Sequence, residues 1–216
     1  GFESRMRYSP DRPACHPSRV AAPADSAEPG VTRSRLESLS DGVMAVAITL
    51  LVLGIDAPTP APGQSLWDAL DADAVFSLAL FAISFAIIAR FWLVHHDAVR
   101  DLPATVPYRI VTLNFAFLLM VCLVPFATTL YGRNNDDMLA LIIYASAFAI
   151  MSVLLRTIRS GGRVEPRLVS LYIPAVFLLA IPVAVVVGPA WATLTWLIIV
   201  LVSDERVEAL TRRRSA

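Results

Sequence analysis

The fold class that the sequence predicts is an all-α integral membrane protein with six transmembrane helices per subunit. Three observations predict it. Hydrophobic residues make up 56% of the 216 and the mean hydropathy is +0.64, above the 45–50% apolar content of ordinary soluble domains. The apolar residues gather into six runs, most of them long enough to cross a bilayer. Arginine, which supplies all 18 basic residues, clusters in alternate loops although the formal net charge is zero.

Residues 1–32 are rich in Pro, Arg, Ala and Ser and show no apolar periodicity, which predicts a disordered cytoplasmic tail. The tail has no apolar core of a secretory signal. The first run, Gly42 to Ile55, is about 14 residues, or roughly 21 Å of helix against a ~30 Å hydrocarbon core. Asp56, Pro58, Pro60 and Pro62 block extension at its C-terminal end. The helix must therefore extend backwards, from about Arg35, and carry Arg35, Ser38, Ser40 and Asp41 into or against the membrane. An ionised Asp facing lipid there costs several kcal/mol, so Asp41 is expected to point inward at polar partners.

The segment 56–73 holds Pro, Gly and four Asp with no positive charge. Further apolar runs span Ala74 to Val94, about Val106 to Leu130, Met138 to Leu155, Leu168 to Val187 and Ala190 to Val202. Pro125 is a kink candidate in the third, and Gly188-Pro189 separates the last two. The sixth is short and is expected to draw on Ser203 and following residues, or to tilt or thin the bilayer. Six crossings put both termini on one side. The N-terminal tail, the 95–109 loop, the 156–167 loop and Arg212-Arg213-Arg214 share that side, with Arg133 opposite. The positive-inside rule makes it cytoplasmic, as in the plasma membrane. The resulting organisation is a tail (1–32), a six-helix domain (33–210) and a basic cytoplasmic tail (211–216). The Arg35–Asp41 pattern occurs once and no internal repeat is evident. Cys15 in the tail and Cys122 in an apolar run do not make a disulfide framework.

The polar residues at the membrane edge are the functional candidates. Ser38 and Asp41 are three apart and share a helix face, which Arg35 reaches through its long side chain. Trp92 and His95 are three apart near the cytoplasmic end of the second helix, and Asn114 lies a turn or two inside the third. Because helices alternate in direction, all lie at similar depth. A hydrogen-bonded cluster is expected, with Asp41 accepting from Arg35, Trp92, His95 and Asn114. The plainer alternatives are a belt anchor for Trp92 and ordinary head-group contacts for His95 and His96. His95, His96 and Asp97 have poor spacing for a metal on one helix face. Val46, Thr49 or Leu50, and Leu53 form a stripe on the first helix. Ordinary helix packing explains such a stripe; so does a pore lining, since rings of aliphatic side chains gate pores by dewetting. Nothing matches a nucleophile elbow, a zinc motif or a P-loop, so no enzyme and no cofactor are expected. A secondary transporter is the alternative, although paired broken helices are not apparent.

Arg35-x-x-x-Leu39-Ser40-Asp41-Gly42, running into Val43-Met44-Ala45-Val46-Ala47-Ile48-Thr49-Leu50, resembles the Arg-x-x-x-Phe-Ser-Asp signature. That signature marks prokaryotic relatives of the lysosomal potassium channel called transmembrane protein 175. Trp92-x-x-His95, Leu113-Asn114 and Pro125-Phe126 also resemble that family, and Leu39 departs from its usual Phe. The resemblance implies a potassium-permeable channel, a homotetramer with the first helix lining a central pore, and no reentrant loop or carbonyl filter. It also implies the lipid bilayer as surroundings, no nucleic-acid partner, and potassium as the permeant ion. Carried over by position, Val46 is the narrow ring, Leu53 with Leu50 a second, and Thr49 a hydroxyl ring between them. Arg35, Ser40 and Asp41, with Trp92, His95 and Asn114, are the polar cluster that holds the pore helix.

Overall fold

The computed structural model describes residues 30–162 and 172–188. The described chain is mostly helical: β1 (Gly30–Thr32), α1 (Arg33–Leu50), a 3-10 turn (Leu51–Gly54), α2 (Ala72–Arg100), β2 (Thr105–Pro107), α3 (Tyr108–Arg133), α4 (Met138–Arg159) and α5 (Tyr172–Val187). Four stretches have the length and hydropathy of membrane spans: Arg33–Gly54, Ala72–Arg100, Tyr108–Arg133 and Met138–Arg159. They coincide with the first four apolar runs and extend each of them by several residues. The sixth run, residues 1–29 of the N-terminal tail, the whole C-terminal tail and residues 163–167 of the arginine loop lie outside the described residues.

Each helix begins or ends where the side chains allow. Asp71 accepts a hydrogen bond from the Ala74 N–H (2.8 Å) at the start of α2, and Asp137 accepts from Leu139 N–H (2.7 Å) at the start of α4. Both carboxylates use orphan amides of a first turn. The end of α4 is a Schellman motif: Gly162 N–H donates to Thr157 C=O (2.8 Å) and Gly161 N–H to Ile158 C=O (3.0 Å). Both glycines have positive φ, 65° and 82°, a conformation that costs a side-chain-bearing residue and suits glycine. The Arg109 guanidinium donates to Gly161 C=O (2.7 Å), tying the start of α3 to the end of α4.

One element departs from the expected organisation. Gly30–Thr32, read as part of the tail, pairs antiparallel with Thr105–Pro107, Val31 opposite Val106. Three residues are too few to show an alternating pattern, so the sequence carries no strand signal here. The pairing has a use. Arg33 N–H donates to Ala104 C=O (2.9 Å), and its guanidinium donates to the carbonyls of Arg100 (2.9 Å) and Leu102 (3.0 Å). The first residue of α1 is thus clamped to the α2–α3 connection. At the opposite end of the bundle Arg133 makes a two-pronged ion pair with Asp56 (2.9 and 3.1 Å).

The core is built around α3 and α4, with α1 and α2 packed against α3. Phe91, Phe117, Tyr144, Phe148 and Phe177 form its centre; Phe148 stacks on Phe177 at 5.1 Å and meets Tyr144 edge-on at 5.0 Å. Tyr144 is fully buried, and its hydroxyl is 2.7 Å from Ser84 Oγ, which also accepts from Thr128 Oγ1 (3.2 Å). This hydroxyl group of three joins α2, α3 and α4 and leaves no polar atom of its members unpaired, as a dry interior requires.

Candidate functional site: the face and foot of the first helix

At about 100° per residue, the buried residues of α1 and its 3-10 turn, Leu36, Ser40, Met44, Ala47 and Leu51, fall on one narrow face against the bundle. The opposite face carries Arg35, Ser38, Gly42, Val46 and Thr49, all exposed. Val46 is 57% exposed, Leu50 43% and Leu53 74%. A Cβ added at Gly42 would meet nothing within 4 Å. Thus the stripe of Val46, Thr49, Leu50 and Leu53 is left largely uncovered by the described residues of its own subunit. Thr49 Oγ1 donates to the Val46 carbonyl of the preceding turn (2.7 Å).

The polar residues at the foot of α1 do not form one cluster. They divide into two groups, and this corrects the expectation. The first group is Asp41 with Trp92: the indole N–H donates to Asp41 Oδ1 (2.8 Å), and Trp92 lies against the His96 ring (5.9 Å between centroids). Asp41 is exposed on the subunit surface rather than turned inward. The second group is the buried chain His95–Asn114–Ser40. Asn114 Nδ2 donates to Ser40 Oγ (3.0 Å), and Ser40 Oγ donates to the Leu36 carbonyl (2.9 Å). The Asn114 carbonyl oxygen therefore faces His95 Nε2 at 2.7 Å, and His95 must donate through Nε2–H. The direction of every bond in the chain is fixed. His95 also stacks on Phe117 (5.1 Å, 9° between planes).

The division follows from helix geometry. Ser40 and Asp41 are neighbours in sequence, so their side chains leave the helix about 100° apart; Ser40 enters the bundle and Asp41 takes the flank next to α2. Trp92 and His95, three apart on α2, leave it only about 60° apart, yet Trp92 lies on the flank and His95 in the interior. Arg35 and Ser38 join neither group. Ser38 Oγ donates back to the Ser34 carbonyl (2.9 Å), and Arg35 stands on the exposed face below Val46. The hydropathy pattern also conceals Arg90, a half-buried arginine inside α2; an ionisable residue inside a span is a functional candidate, and its position within an apolar run was the signal available.

Around the far end of the bundle an open basin of about 1020 Å³ is lined by Asp56, Asp68, Asp71, Asp73, Asp136 and Asp137 together with Arg133. Within it the Ser65 hydroxyl (2.7 Å) and backbone N–H (3.2 Å) both donate to Asp68 and hold its carboxyl below the usual value. Among the described residues there is no group of three or more His, Cys, Asp or Glu placed to hold a metal ion.

Comparison with known proteins gives this geometry a family. The family model described as the endosomal/lysosomal potassium channel TMEM175 matches residues 35–125, the stretch that contains α1, the foot residues and α3 up to Pro125. A potassium channel of Streptomyces collinus is 34% identical over 142 residues, covering 62% of this chain and 68% of that one. The human endosomal/lysosomal proton channel TMEM175 is 38% identical over 93 residues, covering 39% of this chain and 18% of that much longer protein. The crystal structure of a lysosomal potassium-selective channel TMEM175 homolog from Chamaesiphon minutus superposes with a TM-score of 0.62 at 23% identity, over 78% of this chain and 94% of that one, which shows a shared fold. Membrane-spanning helices of the right length, this fold and these relatives agree: the chain belongs to the TMEM175 potassium channel family.

Proposed function

We propose that this chain forms a passive, potassium-permeable cation channel in which the exposed face of α1 lines the pore. The observation that carries the reading is the orientation of α1. Its buried face holds Leu36, Ser40, Met44, Ala47 and Leu51, while Val46, Thr49 and Leu53 stand outside the subunit. The same face carries Arg35 below Val46, and an ionisable side chain on a span is costly against lipid; the Thr49 hydroxyl, bonded to the Val46 carbonyl, adds little to that cost. Arg35 is accommodated if four copies place these faces around a common axis. In that arrangement Val46 forms the narrow ring, Leu50 and Leu53 form a second, and Thr49 a hydroxyl ring between them. The His95–Asn114–Ser40 chain and the Asp41–Trp92 bond hold the foot of the helix, as structural rather than permeation groups.

The proposal includes six spans per homotetrameric subunit, both termini cytoplasmic in the plasma membrane, and a lipid bilayer as the only obligatory surroundings. It involves no enzyme activity, no cofactor and no nucleic acid. The bacterial relative is a potassium channel and the human one a proton channel, so potassium and protons are the two ions to measure. The test is reconstitution in liposomes with a potassium gradient, recording single channels of the parent and of Val46→Leu. Enlarging the narrow ring by a methylene per subunit should lower the unitary current. An unchanged current would remove Val46 from the pore.

A further inference from the structure

The end of α1 is not α-helical, and one glycine explains how it is held. Leu51–Gly54 is a 3-10 turn. With three residues per turn, side chains at i and i+3 eclipse, so Leu53 stacks over Leu50 on the exposed side and Gly54 over Leu51 on the buried side. Continuing as α-helix would swing Leu53 about 60° away from Leu50. On the buried side, Gly54 lies against α3. A Cβ at position 54 would collide with Thr129 Oγ1 and would stand 3.3 Å from Thr129 Cβ and 3.7 Å from its Cα. Thr129 cannot swing aside freely, because its hydroxyl donates to the Pro125 carbonyl (3.0 Å) within a helix that runs through Pro125. The Ile55 N–H closes the turn on the Val52 carbonyl (3.2 Å).

We infer that Gly54 and Thr129 form the positioning contact for the Leu50–Leu53 stack. Thr129 is the buttress against which the turn closes, and Gly54 is the one residue type small enough to reach it. Neither touches the permeation path; both act by setting the direction of Leu53. The inference rests on the reading of α1 as the pore-lining helix, so the experiment separates the two.

The full chain, with Cys15→Ser and Cys122→Ser, carries Leu53→Cys as a reporter. It is reconstituted in liposomes, and the rate at which a charged thiol reagent alters the current is measured. If the current in this parent is indifferent to reagent, Leu53 is not in the pore and both the inference and the underlying reading are overturned. With a reactive parent, Gly54→Ala should change the modification rate by about fivefold or more, the coupling expected of groups in direct contact. Adding Thr129→Ala, which removes the obstructing hydroxyl, should return the rate to within about twofold of the parent. An unchanged rate in Gly54→Ala, or failure of the second substitution to restore it, overturns the positioning contact while leaving the pore reading intact. Should Gly54→Ala yield no assembled protein, Thr129→Ala alone decides: removing the buttress should shift the rate by at least about twofold, and an unshifted rate overturns the contact.

Discussion

Asn114→Ala removes the middle member of a buried chain in which every bond has one direction. Ser40 loses a donor but keeps its own bond to the Leu36 carbonyl, so its cost is small. His95 is affected more. It is 2% exposed, and its Nε2–H has the Asn114 oxygen as partner. An unpaired buried donor costs about 1–3 kcal/mol, while hydrogen bonds between membrane helices average nearer ~0.6 kcal/mol because the reference state also finds partners. The void left by the amide adds about 1 kcal/mol if the site does not collapse. Together these give about 2 kcal/mol, or roughly 4–8 °C in the unfolding midpoint of a chain of this size. The assay is thermal denaturation of purified protein in detergent, followed by loss of the folded species on size exclusion. Thr112→Val is the matched control. It lies on the same helix, but its hydroxyl is exposed and bonded to its own Tyr108 carbonyl (3.0 Å), so it should change stability by less than about 0.5 kcal/mol. If Asn114→Ala falls within the range of the control, the chain does not hold the foot of α1 and the argument for a pinned helix fails.

Two other predictions concern the acidic end of the bundle. Asp71→Asn with Asp136→Asn removes two of the six carboxylates around the basin and retains the cap of α2, since Asn caps about as well as Asp. Current carried by cations entering from that side should fall at low ionic strength, and the difference should vanish near 1 M salt, where screening is complete within about 3 Å. A deficit that persists at high salt would indicate structural damage instead of a lost field. In the loop, Ser65→Ala should raise the carboxyl pKa of Asp68 towards its ordinary value, as followed by carbon NMR. Because the folded pKa is depressed, the loop contact stabilises above the ordinary carboxylate range and is lost as pH falls through the folded value. An Asp68 titration unmoved by Ser65→Ala would place the cause elsewhere.

Much of the described fold was legible because hydropathy and chain punctuation act locally. The spans from Arg33 to Arg159 follow from apolar runs bounded by Pro, Gly and charged residues, and the backward extension of α1 follows from the proline block after Asp56. Depth was legible too: Trp92 reaches Asp41, and His95 and Asn114 reach Ser40, the neighbour of Asp41, so the four share one level of the bundle. Azimuth was not. Whether Asp41 and Ser40 share partners depends on which face meets α3, and a one-residue step turns the side chain by about 100°. The placement of Arg35 beneath Val46 was hidden for the same reason. The 3-10 turn was illegible because it arises from a contact with Thr129, 75 residues away in sequence from Gly54, and the short strand pair because it depends on the α2–α3 connection. Exposure of the Val46 stripe is likewise a property of the folded subunit; periodicity alone gives the same stripe for a buried face.

The most direct test is a structure of the assembled protein in a lipid bilayer, read at the level of Val46. The account predicts four Val46 side chains around one symmetry axis, with Leu53 of each subunit facing the same axis and a continuous path between them. Val46 and Leu53 turned towards lipid, or an axis closed by other helices, would contradict it.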